Sequence, residues 1–508
     1  MGTHQSRRRF LRNVGLQATA LPLLKTGFGD EAEAAPAERS SDIGDRPNIL
    51  WLISEDTSPD LACYGTALVK TPTFDRLAAQ GARYSNAFAT APVCSPARSA
   101  FMTGMYQTTI GAHQHRSHRR DGYVLPEPVE VITEYFRRAG YFTANVRTAA
   151  PGVRGTCKTD FNFKPKAKPF DGTDWSQRRP GQPFFAQVNF KLTHRTFVRD
   201  QQNPIDPKKV QVPPHYPDHP ITRRDWADYL ESIQVLDRQV GKVLKRLERE
   251  GLADNTLVVY FGDHGRPHVR GKQWLYEGGI RVPLIIRWPG RIKPGTVVDD
   301  LVSLIDLAPT CMAAAGISRP THLQGNVFLG PNAKKRRYAF AARDRCDETT
   351  DRIRCVRTWR YKYIRNYHPK RPYTQFNAYK YRQYPVLTLM QVLHKQGKLT
   401  DAQARFMAPN RPTEELYDLK HDPYELDNLC QKPEAQSILK ELRGALDKWV
   451  AETRDMGATP ESKTVRGEAK ALARDKRARW FKARGLPENC TQEQYLEYWE
   501  RTLLKDAR

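Results

Sequence analysis

Four short, continuous apolar runs constrain the fold of this 508-residue chain more than any other feature. They occupy residues 47–54, 184–190, 256–261 and 283–288. Runs without polar alternation are typical of strands that are buried on both faces of a parallel sheet. Helical patterns lie between them, the longest with an apolar face at residues 226–247. We therefore predict an α/β fold with a large mostly parallel or mixed sheet sandwiched by helices.

Two of these runs end in residues that can carry chemistry. Glu55 and Asp56 follow the first run, and Asp263 and His264 follow the third. Parallel strands end at the same edge of a sheet, where ligands collect. We expect both pairs at that edge, although each pair alone could equally cap a strand end.

The pattern changes in the last third of the chain. Basic, aromatic-rich segments at residues 353–357 and 361–364 alternate in polarity, which is typical of antiparallel strands with one wet face. We divide the chain into a catalytic domain at 46–335, a smaller C-terminal α+β subdomain at 336–455 and a basic extension at 456–508. Nine Lys and Arg residues at 463–484 favour a solvated basic helix, with contact to a polyanion as the alternative.

The first 35 residues have the features of an export signal. Arg7-Arg8-Arg9-Phe10-Leu11 precedes a short apolar stretch and the small-x-small sequence Ala32-Glu33-Ala34. This succession predicts a twin-arginine signal peptide, the twin-arginine export machinery as a partner, and a periplasmic or secreted bacterial protein. The apolar stretch is too short to span a bilayer, so we expect no integral membrane segment in the mature protein. The alternative is a disordered basic tail.

The formal net charge of +26 predicts a negatively charged partner. Nucleic acid, anionic lipid and a phosphorylated or sulfated substrate all fit this charge. We predict no nucleic-acid partner, because no recognised motif accompanies the charge and an export signal argues against one.

Cys94-Ser95-Pro96-Ala97-Arg98 marks the start of a predicted helix. A cysteine there is a thiolate candidate or, more simply, a structural residue. The five residues match Cys-x-Pro-x-Arg, which resembles the signature of type I sulfatases, where the cysteine becomes formylglycine. Similar to that family are also, in the correct order, the segments at 47–56, 262–265, 272–283 and 415–429.

The resemblance implies an alkaline-phosphatase-like fold and two cofactors. Formylglycine (3-oxoalanine) would be made from Cys94 by a formylglycine-generating or an anaerobic sulfatase-maturing enzyme. Ca²⁺ suits the mainly oxygen ligand set, which by the resemblance comprises Glu55, Asp56, the side chain at position 94, Asp263 and His264. Glu55 stands where an aspartate is usual, and His264 stands where an amide is common.

The resemblance also implies roles for further side chains. Arg98 would orient the hydrated formylglycine, and Asp263 would assist its deprotonation. Lys158 and Lys272 would bind sulfate, and His194 would protonate the leaving oxygen. Asp160 occupies a position where the family often has histidine, so His113 or His115 would replace it, unless both lie in a solvated loop.

Arginines of the second domain complete the predicted site. Arg343 and Arg345 would grip anionic groups of the substrate that neighbour the scissile sulfate, although strand-face solubility explains them nearly as well. We expect a sulfatase acting on a sulfated carbohydrate or polysaccharide. The alternatives are a phosphodiesterase or phosphonate monoester hydrolase with the same nucleophile, and a non-catalytic protein that binds sulfated polysaccharides.

Overall fold

The computed structural model of the chain describes residues 46–118 and 121–505. The predicted export signal at 1–35 lies outside these residues and stays a prediction. Among the described residues, no helix combines the length and apolar character needed to cross a membrane.

Most strands belong to two sheets, and a short hairpin joins two more. In chain order the strands are β1 (Asn48–Ser54), β2 (Ala82–Phe88), β3 (Phe142–Asn145), β4 (Thr148–Ala150), β5 (Val153–Arg154), β6 (Phe184–Phe190), β7 (Thr256–Gly262), β8 (Arg281–Arg287), β9 (Thr296–Ser303), β10 (Ala339–Arg343), β11 (Ile353–Arg357), β12 (Tyr361–Asn366) and β13 (Glu414–Asp418).

Helices surround these strands and continue to the C-terminal end of the described chain. They are α1 (Pro72–Ala79), α2 (Cys94–Phe101), α3 (Ile132–Arg138), α4 (Pro220–Arg249), α5 (Glu277–Ile280), α6 (Leu307–Ala314), α7 (Ala378–Gln383), α8 (Pro385–Lys395), α9 (Asp401–Ala404), α10 (Gln436–Glu452), α11 (Lys463–Lys482) and α12 (Gln492–Leu503).

The large sheet has the strand order β3-β6-β1-β7-β8-β2-β9. Only β8 runs antiparallel to its neighbours among these seven strands. Alternate residues of β1 enter two cores: Leu50 and Leu52 pack on the side of α4, whereas Ile49, Trp51 and Ile53 pack on the side of α3 and α6. The sheet is therefore buried on both faces, as the continuous apolar runs predict.

The smaller sheet is antiparallel, with the order β10-β11-β12-β13. Leu439, Leu442, Leu446 and Trp449 of α10 cover one of its faces. This architecture confirms the predicted fold class, and the domain boundaries after residues 335 and 455 stay predictions. In the extension, most side chains of α11 are exposed, while Ala473 and Phe481 are buried.

Candidate active site

The site is built where β1 and β7 end side by side. Ser54 lies opposite Gly262 in the parallel register, so the residues that follow the two strands meet. Asp56 turns into the left-handed region with a φ of 53°, and its backbone N–H donates to Asp263 Oδ1 at 2.9 Å. Both carboxylates are fully buried.

Cys94 is the first residue of α2 and faces these carboxylates. Its Sγ lies 3.2 Å from His264 Nε2, 3.7 Å from Lys272 Nζ and 4.0 Å from Asp56 Oδ1. Although burial alone would raise the pKa of the Cys94 thiol, the nearby charges of Lys158, Lys272 and His264 lower it to about 7. The sequence therefore places its one motif cysteine in an electropositive, enclosed position.

Three of the predicted metal ligands come together. Asp56, Cys94 and His264 each place a potential ligand atom within 4.8 Å of the others, so one cation can contact all three. His264 Nδ1 lies 3.0 Å from the carbonyl oxygen of Gly265, which leaves Nε2 directed at this group. These three side chains can together hold a divalent cation once His264 has released its proton.

Asp263 lies beside this group but is held by other donors. Its Oδ2 accepts from Arg98 Nε at 3.2 Å and from a terminal Arg98 nitrogen at 2.9 Å, and its Oδ1 accepts from the backbone N–H groups of Asp56 and His264. Burial opposes ionisation, but His264 and Arg98 hold the pKa of Asp263 well below its usual range. Each oxygen of the predicted proton acceptor thus accepts two hydrogen bonds, and its role in deprotonation stays a prediction.

Glu55 contacts a lysine in this structure, and its role as a metal ligand stays a prediction. Its carboxylate accepts from Lys158 Nζ at 2.7 Å, and it lies outside the group formed by Asp56, Cys94 and His264. The longer side chain at this position therefore forms an ion pair with Lys158 in this structure.

Arg98, Lys158 and Lys272 reach the site and are held there by polar groups. Arg98 is 1% exposed and donates to Asn189 Oδ1 at 2.6 Å as well as to Asp263. Lys272 Nζ contacts both oxygens of Asp56, at 2.7 and 2.9 Å. Carboxylates thus position both of the lysines for which sulfate binding is predicted.

His194 follows β6 and faces the same cluster. Its Nδ1 lies 2.7 Å from the carbonyl oxygen of Arg195, and its Nε2 lies 3.9 Å from Asp56 Oδ2. Burial, together with the charge of Lys272, lowers the pKa of His194 below its ordinary value. With a quarter of its side chain exposed, it can meet a group that enters from solvent.

His113 and His115 are buried, so the solvated-loop interpretation is wrong for both. His115 Nδ1 lies 3.2 Å from Asp347 Oδ1, and burial lowers the pKa of His115 to about 3. Arg116 from the same segment contacts Asp160 at 3.5 Å. The structure brings neither histidine into contact with Cys94, and a catalytic role for them stays a prediction.

Arg343 and Arg345 do not present free guanidinium groups to the site. Arg343 is 2% exposed and pairs with Asp351 at 2.7 Å, and Arg345 is 3% exposed and pairs with Glu461 at 2.6 and 2.9 Å. The geometry therefore does not support their predicted role in substrate binding, because both guanidinium groups form internal ion pairs.

Sequence reasoning missed two residues that shape the site. Asn189, at the end of β6, holds Arg98, and its position next to a predicted strand end was an available signal. The Tyr379 ring on α7 lies 5.1 Å from Lys272 Nζ and 5.8 Å from the His194 ring. No local pattern distinguishes Tyr379 from the other aromatics of its segment.

The carboxyl edge of the α/β sheet gathers a candidate nucleophile, buried acids and several cations, which are groups that the hydrolysis of an anionic ester requires. Residues 47–317 match the sulfatase family, and residues 262–403 match the C-terminal region of N-sulphoglucosamine sulphohydrolase. An ulvan-active sulfatase of Formosa agariphila is 34% identical over 474 residues, which cover 83% of this chain and 78% of the relative. The chain belongs to the sulfatase family, as a type I member, and is a sulfuric ester hydrolase.

Solved structures share the fold. A protein in complex with its substrate D-glucosamine-2-N,6-O-disulfate aligns with a TM-score of 0.59 at 19% identity, covering 81% of this chain and 98% of the other. The phosphonate monoester hydrolase of Silicibacter pomeroyi aligns with a TM-score of 0.57 at 18% identity, covering 82% and 97%. At these identities the similarity establishes the alkaline-phosphatase-like fold alone.

Proposed function

We propose that this sulfatase releases sulfate from a sulfated carbohydrate by means of a formylglycine made from Cys94 and a bound Ca²⁺. The observation that carries the proposal is the placement of Cys94 at a helix start between Asp56, His264 and Lys272. The substrate class is supported by the relative whose name states activity on ulvan.

The modified side chain and the cation have distinct contributions. A formylglycine hydrate supplies two hydroxyls on one carbon, one to attack sulfur and one to expel sulfate afterwards by re-forming the aldehyde. Asp56, His264 and the position-94 oxygen would hold the cation, which would favour the ionised form of that oxygen.

The lysines supply the positive charge that a sulfate ester requires. Lys272 lies 3.7 Å from Sγ, and Lys158 reaches the cluster through Glu55. Both are charge-balanced by carboxylates, so an arriving sulfate shares cations that are already fixed in position. Arg98 keeps the Asp263 carboxylate ionised and fixed in position. We therefore assign Asp263 a structural role in the site in preference to the role of proton acceptor.

His194 is suited to protonate the leaving alcohol. The hydrogen bond of Nδ1 to Arg195 fixes the ring, and Nε2 faces the cluster near Asp56. Lys272 on the same carboxylate lies close enough to assist. His194 can donate from Nε2 only in its protonated, imidazolium form, because Nδ1 donates to the Arg195 carbonyl oxygen. The lowered pKa makes this form less abundant near neutral pH but a stronger acid, which gives its Nε2 proton to the alkoxide that forms beside it.

Replacement of the nucleophile tests the proposal. Cys94→Ala should reduce release of inorganic sulfate by at least about a thousandfold while leaving the folded structure intact. Cys490→Ala, at a partly buried cysteine of the extension, is the matched control and should retain activity. Retained turnover by Cys94→Ala in correctly folded protein would refute the mechanism.

Two further measurements separate the alternatives. Mass analysis of the Cys94 peptide, after production with a maturation enzyme, should reveal formylglycine; an unmodified cysteine would favour a binding protein without catalysis. Matched aryl sulfate and phosphonate esters should show a preference for sulfate, and the reverse preference would favour a phosphonate monoester hydrolase.

We also propose that the enzyme reaches the periplasm or the exterior through twin-arginine export. The paired arginines at 7–9 and the short apolar stretch that follows support this. Fractionation of cells that express the full chain should find it outside the cytoplasm, and Arg8→Lys/Arg9→Lys should retain it inside.

A further inference from the structure

Chains of contacts connect the basic helix α11, at both of its ends, to residues that border the active site. Just before it, Glu461 pairs with Arg345, which donates to the carbonyl oxygen of His115 at 3.0 Å. Arg345 also donates to the carbonyl oxygen of Asp347, whose carboxylate accepts from Gln273 at 3.1 Å. Gln273 is the immediate neighbour of Lys272, so continuous contacts join the start of α11 to the sulfate-binding region.

The other end of α11 packs on α7, which also borders the site. Arg477 lies over the Phe376 ring at 5.9 Å, and Arg382 of α7 lies over the Trp480 ring at 5.0 Å. Tyr379 of the same α7 faces Lys272 and His194. α11 is thus connected to the catalytic site through α7.

One side of α11 carries cations that the packing does not use. Lys463, Lys470 and Arg474 are all exposed, and spacings of seven and four residues place them on one side of the helix. Along the helix axis they span about 16 Å. Within residues 46–118 and 121–505, none of the three takes part in an ion pair, so their charge faces solvent.

We propose that Lys463, Lys470 and Arg474 form a docking stripe for a sulfated polysaccharide chain whose reacting residue lies in the active site. The inference rests on the proposed carbohydrate substrate and extends it from a sulfated sugar to a polymer. A linear array of fixed cations complements the repeated anionic groups of such a chain, and it raises the local concentration of substrate beside the site. Long-range attraction of this kind weakens as salt increases.

Binding measurements test the stripe without turnover. Full-length Cys94→Ala protein is titrated with labelled dextran sulfate and, separately, with single-stranded DNA, over a range of salt concentrations. Adding Lys463→Gln/Lys470→Gln/Arg474→Gln should weaken dextran sulfate binding by about tenfold and flatten its salt dependence.

A matched triple variant controls for net charge. Lys242, Lys245 and Arg249 are exposed on α4 near the amino end of β7, on the opposite edge of the sheet from the site. Lys242→Gln/Lys245→Gln/Arg249→Gln removes the same charge and should leave dextran sulfate affinity within about twofold. Equal losses in the two triples would show that net charge alone acts, and would overturn the proposal.

Turnover by enzyme with Cys94 intact separates failure of the stripe from failure of the proposed function. The α11 triple should lower kcat/KM about tenfold on a sulfated polymer and leave it unchanged on a small aryl sulfate. Stripe-dependent binding without hydrolysis of any sulfate ester would refute the proposed function and retain the stripe. Unchanged polymer binding, or tighter stripe-dependent binding of DNA than of dextran sulfate, would overturn the stripe.

Discussion

Charged side chains are buried in two regions of the molecule, and they are arranged differently. At the small sheet, Lys362 lies between Glu277 and Glu425 at 2.7 and 2.8 Å, and Arg354 contacts Asp344 and Asp455 at 3.1 and 2.8 Å. At the catalytic edge, Lys272 contacts both oxygens of Asp56, at 2.7 and 2.9 Å, and lies 3.7 Å from the Cys94 sulfur.

The difference lies in what the cations face. Around Lys362, each buried cation has carboxylates as its principal partners, so the positive and negative charges are balanced within the fold. Around Cys94, the cations lie close to a nucleophile and to a position that an anion can enter. Buried charged residues thus stabilise the fold at the small sheet and contribute to catalysis around Cys94. Replacing an equivalent lysine in each region should separate the two roles.

The largest expected effect is on catalysis at Lys272. Lys272→Met should lower kcat for sulfate release by about a thousandfold, because a fixed cation next to the reacting group is lost. Steady-state assays with an aryl sulfate measure the loss, and chemical denaturation should show that the variant is still folded.

The equivalent change in the small sheet is the control. Lys362→Met leaves Glu277 and Glu425 buried without their shared cation and should cost about 3 kcal/mol of unfolding free energy. The folded fraction of this variant should retain nearly normal kcat. A loss of kcat as large as that of Lys272→Met would contradict the division between the two regions.

The catalytic edge is the region that the sequence predicted best. Its residues follow apolar runs whose strand character and parallel direction are local properties, so the convergence of Asp56, Asp263 and His264 could be inferred. The motif around Cys94 added the nucleophile. The left-handed turn at Asp56 and the pairing of Glu55 with Lys158 depend on tertiary contacts, which no single segment encodes.

The strands of the small sheet were predicted from the sequence, but the ion pairs of its arginines were not. Alternating polarity indicated its strands, yet the exposed face implied for Arg343 is covered in the structure. Asp351 and Glu461, the partners of Arg343 and Arg345, lie 8 and 116 residues away along the chain. The sequence pattern does not distinguish an arginine that is free to bind substrate from one that is paired with a carboxylate elsewhere in the fold.

Arg343 gives the next prediction in size. Arg343→Met should destabilise the protein by about 2 kcal/mol, because Asp351 loses one of its two buried arginine partners and keeps Arg411, and should leave KM for the substrate unchanged. Urea denaturation and steady-state kinetics measure the two quantities. Arg337→Met is the control, since Arg337 is exposed and pairs with Glu441 at the surface, and it should change stability by less than about 1 kcal/mol. A raised KM at unchanged stability would restore the substrate-gripping role of Arg343.

The last prediction concerns a slope, the pH dependence of stability at His115. Burial lowers the pKa of His115 from 6.5 to about 3, so between these values the unfolded chain binds a proton that the folded protein excludes. The resulting stability is fully present above pH 6.5 and is lost as the pH falls toward 3, with a slope of at most about 1.4 kcal/mol per pH unit.

His115→Gln should flatten the acid limb of the stability curve, because glutamine carries no titrating proton at this site. Urea denaturation at intervals between pH 4 and 6.5 measures the slope. His421→Gln, at a side chain that is 66% exposed, should leave the slope unchanged. An unaltered slope in His115→Gln would mean that His115 is protonated in the folded protein beside Asp347. In that case its surroundings would resemble the charged cluster at the catalytic edge, and not the internally completed pairs of the small sheet.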